Sequence, residues 1–308
     1  MHRATLVLLA LIGASCMAQH SHADRLRDLI LAVPLLPLDR VELKVHPPLP
    51  FERISAVTAD KQGHLYVLHR PAHGNPVVVL DAQGHLLRSW GKGLFTIPHG
   101  IRLDPDGNVW TVDAHTSMVY KFTPDGQQLL AISVGEVPDP ARDFCGATDV
   151  AFAQNGHVWV ADGYCNARII EYDAEGRKVR AWGQHGSGPG EFNGVHGIAV
   201  GPQGHVYVAD RKNGRLQWFD PQGTFLGQWT YGGELFTVAF SPAGDLYVST
   251  HPMGVTWDTE FNVIKIDPAS GTMLGRVEVS AHELTIAPDG ALLPATLSRQ
   301  LLVFRLRQ

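Results

Sequence analysis

The chain has 308 residues, 44% of them hydrophobic and 18% charged, which is enough for one large domain or two ordinary ones. Its formal net charge of −5 includes no long run of one sign, and no basic face interleaved with aromatic residues is evident. The composition therefore excludes a nucleic-acid partner. The 32 glycines and 20 prolines indicate many turns between short strands.

The first residues have the pattern of an export signal. A positively charged start is followed by an apolar run over residues 4–13, too short to span a bilayer, and then by small residues. This predicts an exported protein with a cleaved signal over residues 1–23, cut after Ala18 or Ala23. A lipid-modified Cys16 is the alternative, although the residues before it lack the usual aliphatic side chain. No other segment is apolar enough to cross a membrane.

A repeat dominates the rest of the chain. Residues 24–40 are predicted to be a linker, and residues 41–308 to be one repeating domain. Each copy has an aliphatic alternation, a turn that ends in glycine and a second alternation, which is typical of a β-hairpin. The copies are 40 to 49 residues apart, and their turn glycines are Gly63, Gly107, Gly156, Gly204, Gly244 and Gly290.

Four antiparallel strands at this spacing predict an all-β fold, a six-bladed β-propeller of the NHL-repeat type. The sixth copy starts at Ala281 and leaves room for only three strands before Gln308. The missing outer strand is predicted at residues 41–46, which precede the first copy. Pairing of that strand with the last blade would close the ring and remove two open edges.

Histidine occupies the second position of copies two, four and six, as His99, His196 and His282. Alternate blades of a six-bladed ring are about 120° apart, and the first strand of each blade lines the tunnel. The three imidazoles are therefore predicted to converge on the axis as a zinc site with an open fourth position. The alternative is an accidental column, since other histidines, such as His64, follow turn glycines and meet solvent.

A second column lies at the end of the second strand of each blade. It places Arg70 and Arg211 in blades one and four, which face each other across the tunnel, and Tyr164 follows one step beyond it in blade three. A pair of guanidinium groups near a cation predicts a site for an anionic substrate. The alternative is that each arginine is solvated at the rim.

Four motifs are more specific than the NHL pattern. They are Asp162-Gly-Tyr-Cys-Asn-Ala-Arg168, Trp182-Gly-Gln-His-Gly-Ser-Gly-Pro-Gly-Glu-Phe192, Val195-His-Gly-Ile198 and Ala209-Asp-Arg-Lys-Asn-Gly-Arg215. Together they resemble the peptidyl-α-hydroxyglycine α-amidating lyase family. The resemblance covers residues 54–304 and is strongest over residues 145–223.

The resemblance implies a zinc lyase that splits a peptidyl-α-hydroxyglycine into a peptide amide and glyoxylate. Carried over by position, the three column histidines would bind Zn²⁺. Tyr164 would take the proton of the substrate hydroxyl, with Arg70 and Arg211 around it. The expected partner is a small-molecule or peptide substrate with a C-terminal carboxylate, and a monomer is expected.

Two further features follow from the family. Cys145 and Cys165 remain after removal of the signal, and an even count in an exported chain favours a disulfide over two free buried thiols; the pair also matches the family's disulfide. The family has a structural Ca²⁺ held by two backbone carbonyls and an acidic side chain. Those positions fall on Val57, Ile101 and Glu283, and Glu283 stands where the family has aspartate.

Two other functions remain open from the sequence. Propellers often serve as non-catalytic binding modules for a protein or a ligand, because a fold does not determine a function. Other six-bladed propellers are metal-dependent lactonase-like hydrolases, which rely on carboxylate and amide ligands. Three histidines in one column argue against that hydrolase class, and a binding module has no need of Tyr164 together with both arginines.

Overall fold

A computed structural model describes residues 26–135, 139, 141–251 and 262–307. The predicted signal peptide and Cys16 lie outside these residues. A helical segment over residues 26–32 precedes the strands, and none of the helices in the described ranges is long and apolar enough to cross a membrane. The strands form six four-stranded antiparallel sheets, so the predicted six-bladed β-propeller is confirmed.

The first strand of the chain is β1 (Leu38–Glu42). Blade one contains β2 (Ala56–Ala59), β3 (Leu65–Leu68), β4 (Val77–Leu80) and β5 (Leu86–Trp90). Blade two contains β6 (Pro98–Leu103), β7 (Val109–Asp113), β8 (Met118–Phe122) and β9 (Gln128–Ser133). Blade three contains β10 (Asp149–Phe152), β11 (Val158–Asp162), β12 (Arg168–Tyr172) and β13 (Lys178–Trp182).

Blade four contains β14 (Val195–Val200), β15 (Val206–Asp210), β16 (Arg215–Phe219) and β17 (Phe225–Thr230), with a 3-10 turn over Arg211–Asn213. Blade five contains β18 (Glu234–Phe240), β19 (Leu246–His251), β20 (Asn262–Ile266) and β21 (Met273–Glu278). Blade six contains β22 (Glu283–Ile286), β23 (Leu292–Ala295) and β24 (Leu302–Leu306), with β1 as its outermost strand.

The core lies between neighbouring blades. The two inner strands of each blade are buried on both faces, whereas an outer strand such as β13 alternates between exposed and half-buried side chains. The innermost strands contact one another in the order β2, β6, β10, β14, β18 and β22, and β22 returns to β2. These strands enclose the axis of the ring, so a side chain that points inward from them enters the tunnel.

The ring is closed by β1, which pairs antiparallel with β24 from Leu38 opposite Leu306 to Glu42 opposite Leu302. The closing strand therefore lies at residues 38–42, and the prediction of residues 41–46 is wrong in its bounds. The ladder ends where Glu42 lies opposite Leu302, and the backbone N–H of Leu43 donates one further hydrogen bond to the carbonyl of Leu301 at 2.9 Å. The chain then crosses to blade one, where His46 accepts a hydrogen bond from the backbone N–H of Leu86 at 2.9 Å.

The residues predicted to be a linker pack against the propeller. Leu26 and Ile30 are 3% and 1% exposed and belong to the core between blades four and five. Leu36 donates a backbone hydrogen bond to the carbonyl of Arg276 at 2.9 Å, and Arg276 Nε donates to the carbonyl of Val33 at 3.0 Å. The segment before β1 is thus attached to the outer edge of blade five.

Candidate metal centre

Three histidines from alternate blades meet on the axis. His99, His196 and His282 are 0%, 1% and 5% exposed. Their ring centroids form a nearly equilateral triangle with sides of 5.0, 4.7 and 4.7 Å. One ligand atom from each of them, together with one from Glu283, lies within 4.8 Å of the others, which is a spacing that can hold a metal ion.

A bulge in the inner strand turns two of these histidines into the tunnel. The pairing of β6 with β7 skips His99, and that of β14 with β15 skips His196. A bulged residue is released from the ladder and re-aimed, a common device beside active sites. Glycine follows each histidine, and a Cβ on Gly197 would lie 2.8 Å from the Cα of Thr237 in the next blade. The close approach of the neighbouring blade therefore requires glycine there.

The next blade also fixes the orientation of two of the imidazoles. Nδ1 of His99 lies 2.7 Å from the carbonyl oxygen of Thr148, and Nδ1 of His196 lies 2.8 Å from that of Phe236. A carbonyl only accepts, so Nδ1 carries the proton and Nε2 keeps its lone pair for a metal. The backbone of Ser55 takes the equivalent place beside His282, at a geometry looser than a regular hydrogen bond.

Electrostatics keep the three rings neutral, as metal ligands must be. Burial lowers the pKa of all three, and the cationic form of each is further disfavoured by the positive groups around it. For His282, burial and then the charges of Arg70 and Arg211 lower the pKa to about 3. The donor set of neutral, pre-oriented imidazoles fits a metal such as zinc.

Tyr164 covers the open side of the histidine triangle. Its hydroxyl lies 2.8 Å from Nε2 of His99 and 3.1 Å from Nε2 of His196. Gly163 makes this reach possible, because any Cβ there would collide with the carbonyl of Val195 in blade four. Burial raises the pKa of the Tyr164 phenol, and the charges of Arg211 and Arg70 act in the opposite direction.

The loop that carries Tyr164 is held at both ends. Asp162 accepts a 2.7 Å bond from Nε of Arg168 and 3.2 and 3.0 Å bonds from the side-chain amide of Asn166. A disulfide joins Cys165 to Cys145, which is fully buried, over a separation of 20 residues. The predicted disulfide is thus present, and it ties the Tyr164 loop to the segment before β10.

Arg70 is the cation with spare donor capacity at the site. Its Nε donates to the carbonyl of Pro98 at 2.9 Å, while one terminal nitrogen is buried without a hydrogen bond. Its guanidinium lies 5.6 Å from the ring centroid of Phe144. Burial lowers its pKa to about 10, with the Tyr164 phenol acting in the opposite direction. An unsatisfied buried donor of this kind is suited to a ligand carboxylate.

Arg211 has a different environment from Arg70. Its Nε and a terminal nitrogen donate to the same Glu234 oxygen at 2.9 and 2.8 Å, and its guanidinium lies 4.2 Å from the Phe236 ring centroid. The two arginines that the sequence places in one column therefore differ in their partners. Arg211 contributes positive potential beside Tyr164 from a fixed position.

Among the residues expected to bind calcium, the acidic one is already paired with an arginine. Val57 and Ile101 are buried on inner strands, and Glu283 lies beneath the histidines, with Oε1 3.9 Å from Nδ1 of His99. Burial and the charge of Asp149 raise the pKa of Glu283. Its other oxygen, Oε2, forms an ion pair with a terminal nitrogen of Arg102 at 2.7 Å.

Three residues near the site were not among the sequence candidates. Phe144 lies 5.3 Å from the Tyr164 ring, Arg53 adds positive charge beside Arg70, and Arg102 contacts Glu283. Phe144 directly precedes a disulfide cysteine, and Arg102 is the one long charged side chain in its repeat column. The sequence could therefore have identified both as candidate site residues. Arg53 precedes the first repeat and has a positive φ of 44°, which no sequence pattern marked.

Comparison with known proteins shows which proteins this chain is similar to. The NHL repeat model matches residues 144–172 and 192–219. Peptidyl-alpha-hydroxyglycine alpha-amidating lyase 1 of Drosophila melanogaster is 33% identical over 240 residues, 65% of this chain and 44% of that protein. Lyase 2 of the same organism is 28% identical over 288 residues, 80% of this chain and 68% of that protein.

The peptidylglycine alpha-amidating monooxygenase of Rattus norvegicus is 32% identical over 226 residues, 62% of this chain and 23% of that protein. The chain thus spans less than half the length of two of these relatives. Among solved structures, a streptogramin B lyase has a TM-score of 0.63 at 13% identity, over 88% of this chain and all but 2% of that one. That likeness shows the propeller fold alone. The resemblance to the amidating lyases that the motifs indicated is confirmed.

Proposed function

We propose that this chain, an NHL-repeat relative of the peptidyl-α-hydroxyglycine α-amidating lyases, is a zinc-dependent enzyme of that type. Its reaction would convert a peptidyl-α-hydroxyglycine into a peptide amide and glyoxylate. One observation carries the proposal: the Tyr164 hydroxyl faces the Nε2 atoms of His99 and His196 at 2.8 and 3.1 Å. A binding module would gain nothing from a phenol held against two metal-binding nitrogens.

His99, His196 and His282 would hold zinc through Nε2, because Nδ1 of the first two already faces a backbone carbonyl. The chemistry that zinc supplies there is Lewis acidity toward the substrate hydroxyl. The lactonase-like alternative loses support, because the nearby carboxylates of Asp149 and Glu283 are both engaged by Arg102. No hydrolase-type set of carboxylate ligands remains at this point among the described residues.

Tyr164 is placed to move the proton that the reaction requires. The substrate hydroxyl loses its proton, the electron pair forms the C=O bond of glyoxylate, the C–N bond breaks and the amide nitrogen takes up a proton. The Tyr164 oxygen stands where it can accept the first proton, and the same atom can return it to the leaving nitrogen. Burial raises the pKa of this phenol, and the charges of Arg211 and Arg70 oppose that rise.

Arg70 would bind the carboxylate of the hydroxyglycine. Its unsatisfied terminal nitrogen is the donor available for that oxygen, and its position beside Tyr164 fixes the distance between carboxylate and hydroxyl. Arg211, held by Glu234 at 2.8 Å, would stabilise negative charge without moving. The expected substrate is therefore a peptide or small molecule with a C-terminal carboxylate, handled by a monomer. The disulfide is consistent with an exported protein.

The test is release of glyoxylate from an α-hydroxyglycine-extended peptide or from α-hydroxyhippurate. We expect turnover that stops on metal chelation and returns with zinc, and elemental analysis should find about one zinc per chain. His196→Ala should lose the metal and the activity while keeping the β-rich fold, since blades pack without the ligand. His64→Ala, in the turn between β2 and β3, is the matched control and should keep both.

A no-enzyme control is needed at each pH, because these substrates also break down in base. Release no faster than that control, with zinc bound, would refute the lyase and leave a non-catalytic binding propeller. Absence of any transition metal before and after zinc addition would refute the metal site itself.

A further inference from the structure

A partly buried arginine, Arg102, crosses the tunnel beneath the histidines. One terminal nitrogen of Arg102 lies 2.8 Å from Asp149 Oδ2 in blade three and 2.7 Å from Glu283 Oε2 in blade six. Its other terminal nitrogen lies 3.0 Å from Oγ1 of Thr285 and 3.3 Å from the carbonyl oxygen of Ile101. Both carboxylates are at most 1% exposed, so each needs a cation inside the fold.

The sequence provides this arrangement only once in the ring. The third position of the repeat carries a carboxylate in blades three and six alone, as Asp149 and Glu283. The fifth position holds a long charged side chain only in blade two, and its six residues are Thr58, Arg102, Ala151, Ala199, Ala239 and Thr285. Small residues from the other five blades leave the axial space that one guanidinium fills.

The same guanidinium contacts two of the three groups at which the family resemblance predicts calcium, the Ile101 carbonyl and the Glu283 carboxylate. Calcium requires six to eight oxygen ligands at about 2.3–2.6 Å. It would have to displace the Arg102 nitrogens from these oxygens and also tolerate a fixed positive charge beside it. The residues present therefore do not fit a calcium ion.

We propose that Arg102 is a built-in cation that takes the place of the structural calcium, so that this propeller neither binds nor needs calcium in its tunnel. Lack of access is not the reason that calcium is excluded, because Arg102 lines a cavity of about 390 Å³ that opens at this end of the tunnel. Arg102 is a positioning residue. It holds Glu283, whose free oxygen lies 3.9 and 3.7 Å from Nδ1 of His99 and His196.

The first arm of the test uses the wild-type protein. Elemental analysis of protein dialysed against calcium should find zinc but no stoichiometric calcium. The melting temperature should be the same in millimolar calcium and in a calcium-selective chelator. One calcium per chain, or a melting temperature that falls by several degrees in the chelator, would overturn the proposal. Neither readout depends on enzymatic activity, so this arm is independent of the proposed lyase function.

The second arm removes the internal cation. Arg102→Ser should leave Asp149 and Glu283 unpaired and so create a calcium site, with one calcium bound and a melting temperature raised by about 5 °C or more in calcium. Arg102→Lys keeps the charge and should show no such response. Arg180→Ser is the matched control. Arg180 also pairs with a buried carboxylate, that of Glu171, but it lies on the outer strand β13 of blade three. The proposal would be contradicted if the folded Arg102→Ser protein binds no calcium, or if the Arg102→Lys protein binds it.

Discussion

Two of the three candidate ligand histidines take their orientation from the blade that follows them in the ring. The carbonyls of Thr148 and Phe236 hold Nδ1 of His99 and His196, so Nε2 faces the axis before any metal arrives. A preformed site of this kind loses little conformational entropy on binding. The geometry of the centre therefore depends on the packing between blades rather than on any one loop.

The sequence predicted which residues meet here, but not how they are aimed. The repeat column identified three histidines because identical positions in a ring share one depth. It could not show the bulges at His99 and His196, since a bulge depends on pairing with β7 and β15. It also placed Arg70 and Arg211 in one column without revealing their different partners, because the partner of Arg211, Glu234, lies 23 residues away in the next blade.

Replacement of Tyr164 by phenylalanine tests the proposed proton transfer. Only the hydroxyl is removed, so Tyr164→Phe should retain zinc and the fold while kcat falls by about 100-fold or more. KM should change little, because the proposed carboxylate contact of Arg70 is left intact. Tyr207→Phe, in the core between blades four and five, is the control and should keep kcat. The measurement is the initial rate of glyoxylate release, with the metal content determined on the same samples. If Tyr164→Phe keeps the wild-type kcat, the phenol does not transfer the proton.

At the scale of single elements, one turn design is used twice. In blade three Asp162 binds Arg168, and in blade four Asp210 binds Arg215 at the same 2.7 Å, with an asparagine between them in each case. Two of the four motifs quoted for the resemblance therefore form a clamp on the turn after the second strand. In blade three this turn also carries Tyr164, so the clamp positions a functional side chain.

The disulfide adds a covalent constraint to that turn. Changing Cys145 and Cys165 together to serine should lower the free energy of unfolding by about 3 kcal/mol, because the bond closes a loop of 20 residues. Urea denaturation of the oxidised wild type and of the double variant measures the difference. Ser117→Ala, a buried change in the same region, shows whether loss of one hydrogen bond to Ala147 has a comparable effect. Labelling of two thiols in unreduced, unfolded wild type would mean that the pair does not form.

At the scale of the whole molecule, the ring was predictable because its information is local and repeated six times. Each copy of the repeat predicts its own hairpin, because it contains two alternating runs around a turn glycine. The number and spacing of the copies therefore define the architecture. The seam between blades six and one has no such repetition. Its register is set by β24, almost 270 residues away from β1 in the chain, and the alternation of residues 41–46 alone could not locate it.

Closure at this seam holds the three histidines of the candidate metal centre together, since His99 and His282 come from blades on either side of blade one. Removing residues 1–42 should expose the edge of β24 and uncover the core under Leu26 and Ile30, whose two buried side chains alone contribute about 3–6 kcal/mol. We expect a lower melting temperature, loss of zinc affinity and association through the open edge, measured by calorimetry, metal analysis and light scattering. Removing only residues 1–25 is the matched control and should leave all three unchanged. If the protein without residues 1–42 stays monomeric, melts as the control does and holds zinc equally well, β1 does not close the ring.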